Sequence, residues 1–313
     1  MFAVVQQIIG ITAPVFSMLF LGVLLRRLRW IDAPFIDTAS SLVFRGTMPT
    51  MLFLAIVQAD LRTALQPRLI GYFVLATLVC FGLAWLWATW RVPKADRGVY
   101  TQGAFRGNNG IIGLALATSM YGDYGLSVGG VLGGVVILCY NTLSSVVLAL
   151  YAPNAKTDPW SLFKSILGNP LIIGVLAAIP VAYLQLPLPA WVVTSGEYFA
   201  QMTLPLALIC IGGTLSLASL RASGPMALSA SLMKMVWLPL VATLGAWACG
   251  FRNAELAILF LYFASPTAAA SFVMARAVNG NHELAAAIIV ITTLAAVITT
   301  NVGLLTLQLM GLI

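Results

Sequence analysis

The chain has 313 residues, of which 61% are hydrophobic and 8% charged, and its formal net charge is +7. Soluble globular chains carry about 25% charged residues, so 16 Lys and Arg with 9 Asp and Glu cannot cover a water-facing surface of this size. The composition excludes a cytosolic enzyme, a nucleic-acid-binding domain and a disordered protein, and it reads as a multi-span membrane protein whose excess cations lie in loops.

A membrane-spanning helix needs about 20 mostly apolar residues. In chain order the sequence offers ten such stretches: 5–25, 39–58, 68–90, 99–120, 126–151, 163–184, 198–219, 225–250, 254–277 and 284–311. The first is preceded by no basic region and followed by no small-residue cleavage site, so it reads as a mature helix rather than a signal peptide. Connectors such as LQPR, RVPKAD and APNAKTDPW are short, which predicts one membrane domain over residues 1–313. The length of the apolar runs, without alternation, excludes a β-barrel.

Loops after the odd-numbered spans hold Arg26, Arg27, Arg29, Arg91, Lys94, Arg97, Lys156, Lys164, Arg221 and Arg276; those on the other side hold Arg62, Arg68 and Arg252. That bias places the odd loops in the cytoplasm and both termini outside. Eight Trp, among them Trp30, Trp85, Trp87, Trp90, Trp160, Trp191 and Trp247, fall near span ends as interfacial anchors do. The cysteines at 80, 139, 210 and 249 read as small core residues, since none forms a CxxC pair or neighbours a His. His282 lies in a polar loop, NGNHE.

Helix breakers recur at one offset. Pro14 and Pro170, Pro49 and Pro205, and Gly110 and Pro266 each stand 156 residues apart, close to half the chain. Five spans per half is an odd number, so the halves, about 1–155 and 156–313, would insert in opposite orientations as an inverted repeat. Span four carries QGAFRGNNGIIGLALA, with three Gly, two Asn and an Arg between Gly103 and Gly110; span nine carries FASPTAAASF. Gly and Asn weaken a helix, and Pro266 removes a backbone donor. Interrupted spans at matching places in two halves point to a transporter's binding site.

Three cations fall inside spans: Arg45, Arg106 and Lys234. A charge at a helix centre costs at least about 2.5–3.5 kcal/mol, and no carboxylate lies at mid-span to offset it. A mobile anion is the economical partner for Arg106, beside the freed N–H groups of Asn108, Asn109 and Gly110. The alternative is that Arg106 caps carbonyls of the broken span. Arg45 and Lys234 are expected to snorkel to an interface, with substrate contact as the alternative that would add them, and Asn141, to the site. Ser265, Pro266 and Thr267 would complete the site from span nine, and Asn141 is a further polar group inside span five. Neutral oxygens of Asn108, Asn109, Ser265 and Thr267 would also suit sodium; no intramembrane Asp, Glu or His offers a proton relay. No metal or cofactor site is expected apart from coupling Na+ or H+. Gly129, Gly130, Gly133 and Gly134 form overlapping GxxxG patterns, read as a helix contact within the fold, with a dimer face as the alternative.

The motifs MPTMLF (48–53), FRGNNGIIGLAL (105–116), GNPLIIGVL (168–176), LPLALICIGGTLS (204–216) and SPTAAASFVMA (265–275) resemble those of the auxin efflux carrier family, in particular its bacterial malonate- and malate-type permeases. The resemblance covers the whole chain. It implies an all-α polytopic membrane protein of two inverted five-helix repeats, with broken spans four and nine crossing at the midplane. Secondary transport of organic anions is implied too, by elevator-like movement of spans 3–5 and 8–10 past a dimeric scaffold of spans 1, 2, 6 and 7. The resemblance places the protein in a bacterial inner membrane, as a homodimer with a small carboxylate and membrane lipid as partners. Ala115 stands where family members often carry proline, so the crossing here must bend through glycine. The competing readings are a sodium- or proton-coupled symporter of another small solute, or a membrane sensor that binds without transport. An intramembrane enzyme is disfavoured, since HExxH, GxSxG and paired carboxylates are missing.

Overall fold

The computed structural model describes residues 2–58, 66–151, 170–214 and 224–313. Arg62, Lys156, Trp160, Lys164 and Arg221, with the boundary between the expected repeats, lie outside the described residues. Within them the protein is mostly helical and has no strand. It is an all-α membrane protein: five helical stretches, Ala33–Gln58, Pro67–Arg91, Asn109–Tyr151, Gly224–Ala248 and His282–Leu309, are long and apolar enough to cross a bilayer.

Helix α1 (Phe2–Arg27) is followed by α2 (Ala33–Leu42), which begins before the expected start at 39. Asp32 causes this: its side chain accepts the Phe35 N–H at 2.9 Å, and Pro34 fits the first turn. A π turn at Val43–Thr47 joins α2 to α3 (Met48–Gln58). Pro49 has no N–H to give to the turn behind it, which favours the local π geometry, and the Thr50 hydroxyl donates to the Gly46 carbonyl at 3.0 Å. Helix α4 (Pro67–Arg91) opens on proline. Its last carbonyls are held by Arg97, whose Nη2 donates to Thr89 O at 2.8 Å and whose Nε donates to Val92 O at 2.9 Å.

Helix α5 (Arg97–Phe105) stops at Arg106; a π turn at Asn109–Gly113 leads into α6 (Leu114–Tyr151). Gly122 breaks α6 with φ 56°, ψ −134°, at the expected boundary between spans four and five. After α7 (Pro170–Tyr183) the chain forms α8 (Ala190–Gln201) and α9 (Thr203–Thr214). The stretch expected at 198–219 therefore starts eight residues earlier, at 190. It is interrupted at Met202 because Pro205 cannot bond back to Gln201. Helix α10 (Gly224–Leu232), a π turn at Met233–Trp237 and α11 (Leu238–Ala248) repeat the device of α2–α3, with Pro239 in the place of Pro49. Helices α12 (Asn253–Phe263), α13 (Ala270–Ala277) and α14 (His282–Leu309) complete the chain.

Two expectations need correction. Cys249 is exposed, because it lies beyond the end of α11 rather than inside an apolar stretch. His282 is the first residue of α14, not a loop residue: Asn281 caps that helix by accepting the Leu284 N–H at 3.0 Å.

Packing is uneven. The largest apolar cluster surrounds the broken helices, with Phe73, Phe81, Phe105, Leu116, Leu259 and Ile288 among its members. Smaller clusters fill the space among α2, α3, α8 and α9. The most extensive helix contacts pair α1 with α9 and α3 with α7. Gly22 and Gly212 permit the first: a side chain on Gly22 would strike the Ile209 carbonyl, and one on Gly212 the Leu19 carbonyl. Tyr262 Oη donates to the Gly129 carbonyl at 2.6 Å, and Gly130 packs on Leu52, so these GxxxG residues serve contacts inside the fold. Trp30, Trp90 and Trp191 are well exposed, whereas Trp85 is tied to Tyr151 Oη at 2.9 Å.

Candidate functional site

Both sequence-expected interruptions are present, and they meet. Gly107 and Thr267 form an antiparallel bridge. Asn108 N donates to Pro266 O at 2.7 Å, and Ala268 N donates to Arg106 O at 3.3 Å. Backbone groups freed from two helices thus satisfy one another in a two-residue ribbon inside the apolar core, as burial requires. Helices α5 and α12 end at this ribbon; the π turn of α6, and α13, begin at it. Two partly negative C-termini and two partly positive N-termini therefore converge. Gly107 leaves room for two polar side chains, since a methyl group there would displace Asn109 Oδ1 and lie 3.1 Å from Lys234 Nζ. The bend needs no proline at Ala115, because the helix stops at Arg106, before the Asn-Gly run, with extended backbone.

Arg106 is 8% exposed. Its guanidinium leaves the crossing sideways: Nη2 donates to Asn141 Oδ1 at 2.8 Å, and Nη1 to Met274 Sδ at 2.8 Å and Ser144 Oγ at 3.3 Å. Nε has no partner. All of these partners are neutral side chains, so Arg106 does not serve as a cap for backbone carbonyls. Asn109 is buried; its Nδ2 donates to Tyr140 Oη at 3.3 Å, while Oδ1 is unpaired. Asn108 has 8% of its surface exposed, and its carbonyl accepts the Ile112 N–H at 2.9 Å. Gly110 faces the Met48 side chain.

Ser265 and Thr267 are buried at the crossing, but their hydroxyl protons are already committed. Ser265 Oγ donates to Leu261 O at 2.8 Å, and Thr267 Oγ1 to Gly103 O at 2.7 Å. Thr267 N donates to Thr292 Oγ1 at 3.1 Å. These residues brace the crossing, with Thr267 linking the end of α5 to the break of span nine. Pro266 contributes its carbonyl to the ribbon.

Lys234 departs from expectation. It does not snorkel: only 1% of it is exposed, and Nζ donates to the Phe263 carbonyl at 2.8 Å. Phe263 is the last residue of α12, so an ammonium sits at the negative end of a half-helix. The π turn at Met233–Trp237 sets the direction of the lysine. Arg45, also in a π turn, is exposed and takes no part in the crossing. Asn141 does take part, through Arg106.

Sequence reasoning missed Gln102, Tyr140, Ser144, Met274 and Thr292. One signal was available: Tyr140, Asn141 and Ser144 put polar groups three and four residues apart on one side of an otherwise apolar helix. A cleft of about 800 Å3, bordered by Phe20, Arg26, Arg27, Asp37, Gly213 and Val290, shares no residue with the crossing.

The profile of a family described as membrane transport protein matches residues 7–304. The chain belongs to that family, the auxin efflux carriers. It is a multi-pass membrane transporter. No curated protein matches the sequence.

Proposed function

We propose that this auxin efflux carrier family member moves a small organic anion, a mono- or dicarboxylate of the malonate or malate kind, through the crossing of its two broken helices. One observation carries the reading: Arg106 is almost wholly buried beside the crossing, and every partner it has among the described residues is neutral. A buried cation left without a carboxylate is costly. A substrate carboxylate is the natural counter-charge, and the first-turn N–H groups of the two half-helices that begin at the crossing are donors suited to it. Asn108 and Asn109, which follow Arg106 closely in the chain, are read as orienting the anion at the crossing, while Ser265 and Thr267 hold the frame.

The ten hydropathic stretches are read as ten spans in two inverted halves, about 1–155 and 156–313, with both termini outside a bacterial inner membrane. The pairing of α1 with α9 and of α3 with α7 supports this reading, because an inverted repeat relates spans one and seven to spans six and two. We read spans 3–5 and 8–10 as a unit that slides, elevator-like, on a dimeric scaffold of spans 1, 2, 6 and 7. Lys234 supplies a fixed cation at the end of α12, so we read the carrier as needing no sodium.

Proteoliposomes loaded with radiolabelled malonate or malate test the reading. Wild type should exchange at least one of them, and Arg106→Ala, correctly inserted, should lose most of that flux. Wild-type rates in Arg106→Ala would remove Arg106 from the mechanism. A ligand that stabilises the protein but never crosses a sealed vesicle would leave a sensor instead of a carrier.

A further inference from the structure

Two strong hydrogen-bond donors converge on a weak acceptor. Met274 Sδ receives Arg106 Nη1 at 2.8 Å and Gln102 Nε2 at 3.4 Å. A thioether accepts poorly, whereas a guanidinium is matched by carboxylate oxygens. Gln102 and Arg106 stand one turn apart at the end of α5; Met274 lies on α13, on the other side of the crossing. Three further polar atoms of these two helix ends are buried and unpaired: Arg106 Nε, Gln102 Oε1 and Ser271 Oγ. Gln102 is 0% and Ser271 1% exposed. Ser271 precedes Met274 by three residues, so both are on one face of α13. Buried polar atoms are nearly always paired in folded proteins, so unpaired ones on two helix ends that meet at a buried cation call for a partner.

We propose that Met274 holds the place of the substrate carboxylate. A carboxylate oxygen takes the position of Sδ between Arg106 Nη1 and Gln102 Nε2, and the Ser271 hydroxyl supplies a third donor. The thioether turns aside, as an unbranched side chain with three rotatable bonds can do at low cost. Asn141 and Ser144 keep the guanidinium aimed throughout, so little ordering is needed on binding. Without substrate, the sulfur keeps two donors occupied and thereby competes with weakly basic anions. Met274 is then a specificity-determining residue, and the carboxylate lies on the α13 side of the crossing. This assignment rests on the anion-carrier reading and fixes where in the crossing the anion sits.

The test is binding of acetate, malonate and malate to the purified full chain in detergent, followed by thermal-shift titration. Met274→Leu preserves bulk and removes the competing acceptor, so the affinity for the tightest of the three should rise roughly three- to tenfold. Gln102→Leu removes a donor and should lower it roughly tenfold. Arg106→Ala should abolish binding. If Arg106→Ala abolishes binding but either of the other shifts is missing, the placement at Met274 is wrong and the anion reading stands. If Arg106→Ala binds like wild type, or if wild type and Met274→Leu are both silent to all three anions, both fall. Should Met274→Leu fail to fold, Met274→Ala carries the same expectation.

Discussion

Lys234→Met is the most informative single change away from the proposed anion position. Methionine nearly matches the length of the lysine stem and removes the ammonium that Phe263 O holds at 2.8 Å. Two opposing effects follow. The folded state loses one hydrogen bond from a charged group, about 1.5–3 kcal/mol, together with a favourable charge at the negative end of α12, about 0.3–2 kcal/mol. It also sheds the burial of a charge that is 1% exposed and has no carboxylate partner among the described residues, an effective penalty of several kcal/mol. The two effects are of similar size, so Lys234→Met should unfold within several degrees of wild type. Anion flux should nevertheless fall by about tenfold or more, because the crossing has lost its fixed cation. Tryptophan fluorescence on heating in detergent reads the stability, and proteoliposome exchange normalised to inserted protein reads the function. A clearly less stable variant that transports at the wild-type rate would refute the reasoning, since Lys234 would then be an ordinary structural donor.

Gly107→Ala forces a methyl group onto Asn109 Oδ1 and towards Lys234 Nζ; a loss of about 1–3 kcal/mol in thermal unfolding, with flux near background, is expected. Thr267→Val removes the bond to Gly103 O while keeping the shape, which should cost about 1 kcal/mol by the same assay; an unchanged midpoint would mean that the brace is idle. Replacing sodium by choline on both sides of the membrane should leave flux unchanged, and a steep loss would assign coupling to sodium despite Lys234. Gly212→Val drives a side chain into the Leu19 carbonyl and should destabilise the α1–α9 contact by at least about 2 kcal/mol, seen as early melting or poor insertion.

Much of the fold was legible because a bilayer imposes length on apolar runs, and the interruptions were legible because Gly107, Asn108, Asn109 and Pro266 offend helix propensity locally. Boundaries were missed where a cap or a proline acts a few residues away: Asp32 started α2 early, and Pro205 split α8 from α9. The site was only half legible. Arg106 and Asn141 announce themselves as polar groups in apolar company, but Met274 looks like any core residue until α13 swings it beneath the guanidinium. Lys234 was misjudged because the carbonyl that holds it, Phe263 O, comes from another helix, and hydropathy does not record that packing. Ser265 and Thr267 have the right chemistry for a ligand, yet their protons go to Leu261 and Gly103, partners that only three-dimensional packing supplies.

The ribbon between Gly107 and Thr267 joins stretches about 160 residues apart in the chain. At the usual pace of synthesis, about 5–20 residues per second, the first interruption exists for on the order of ten to thirty seconds before its mate emerges. During that interval the nascent half-protein holds bare amide and carbonyl groups that hydrocarbon cannot satisfy. Biogenesis of this carrier must shelter a polar wound until the second half closes it, which ties the last helices to the survival of the first.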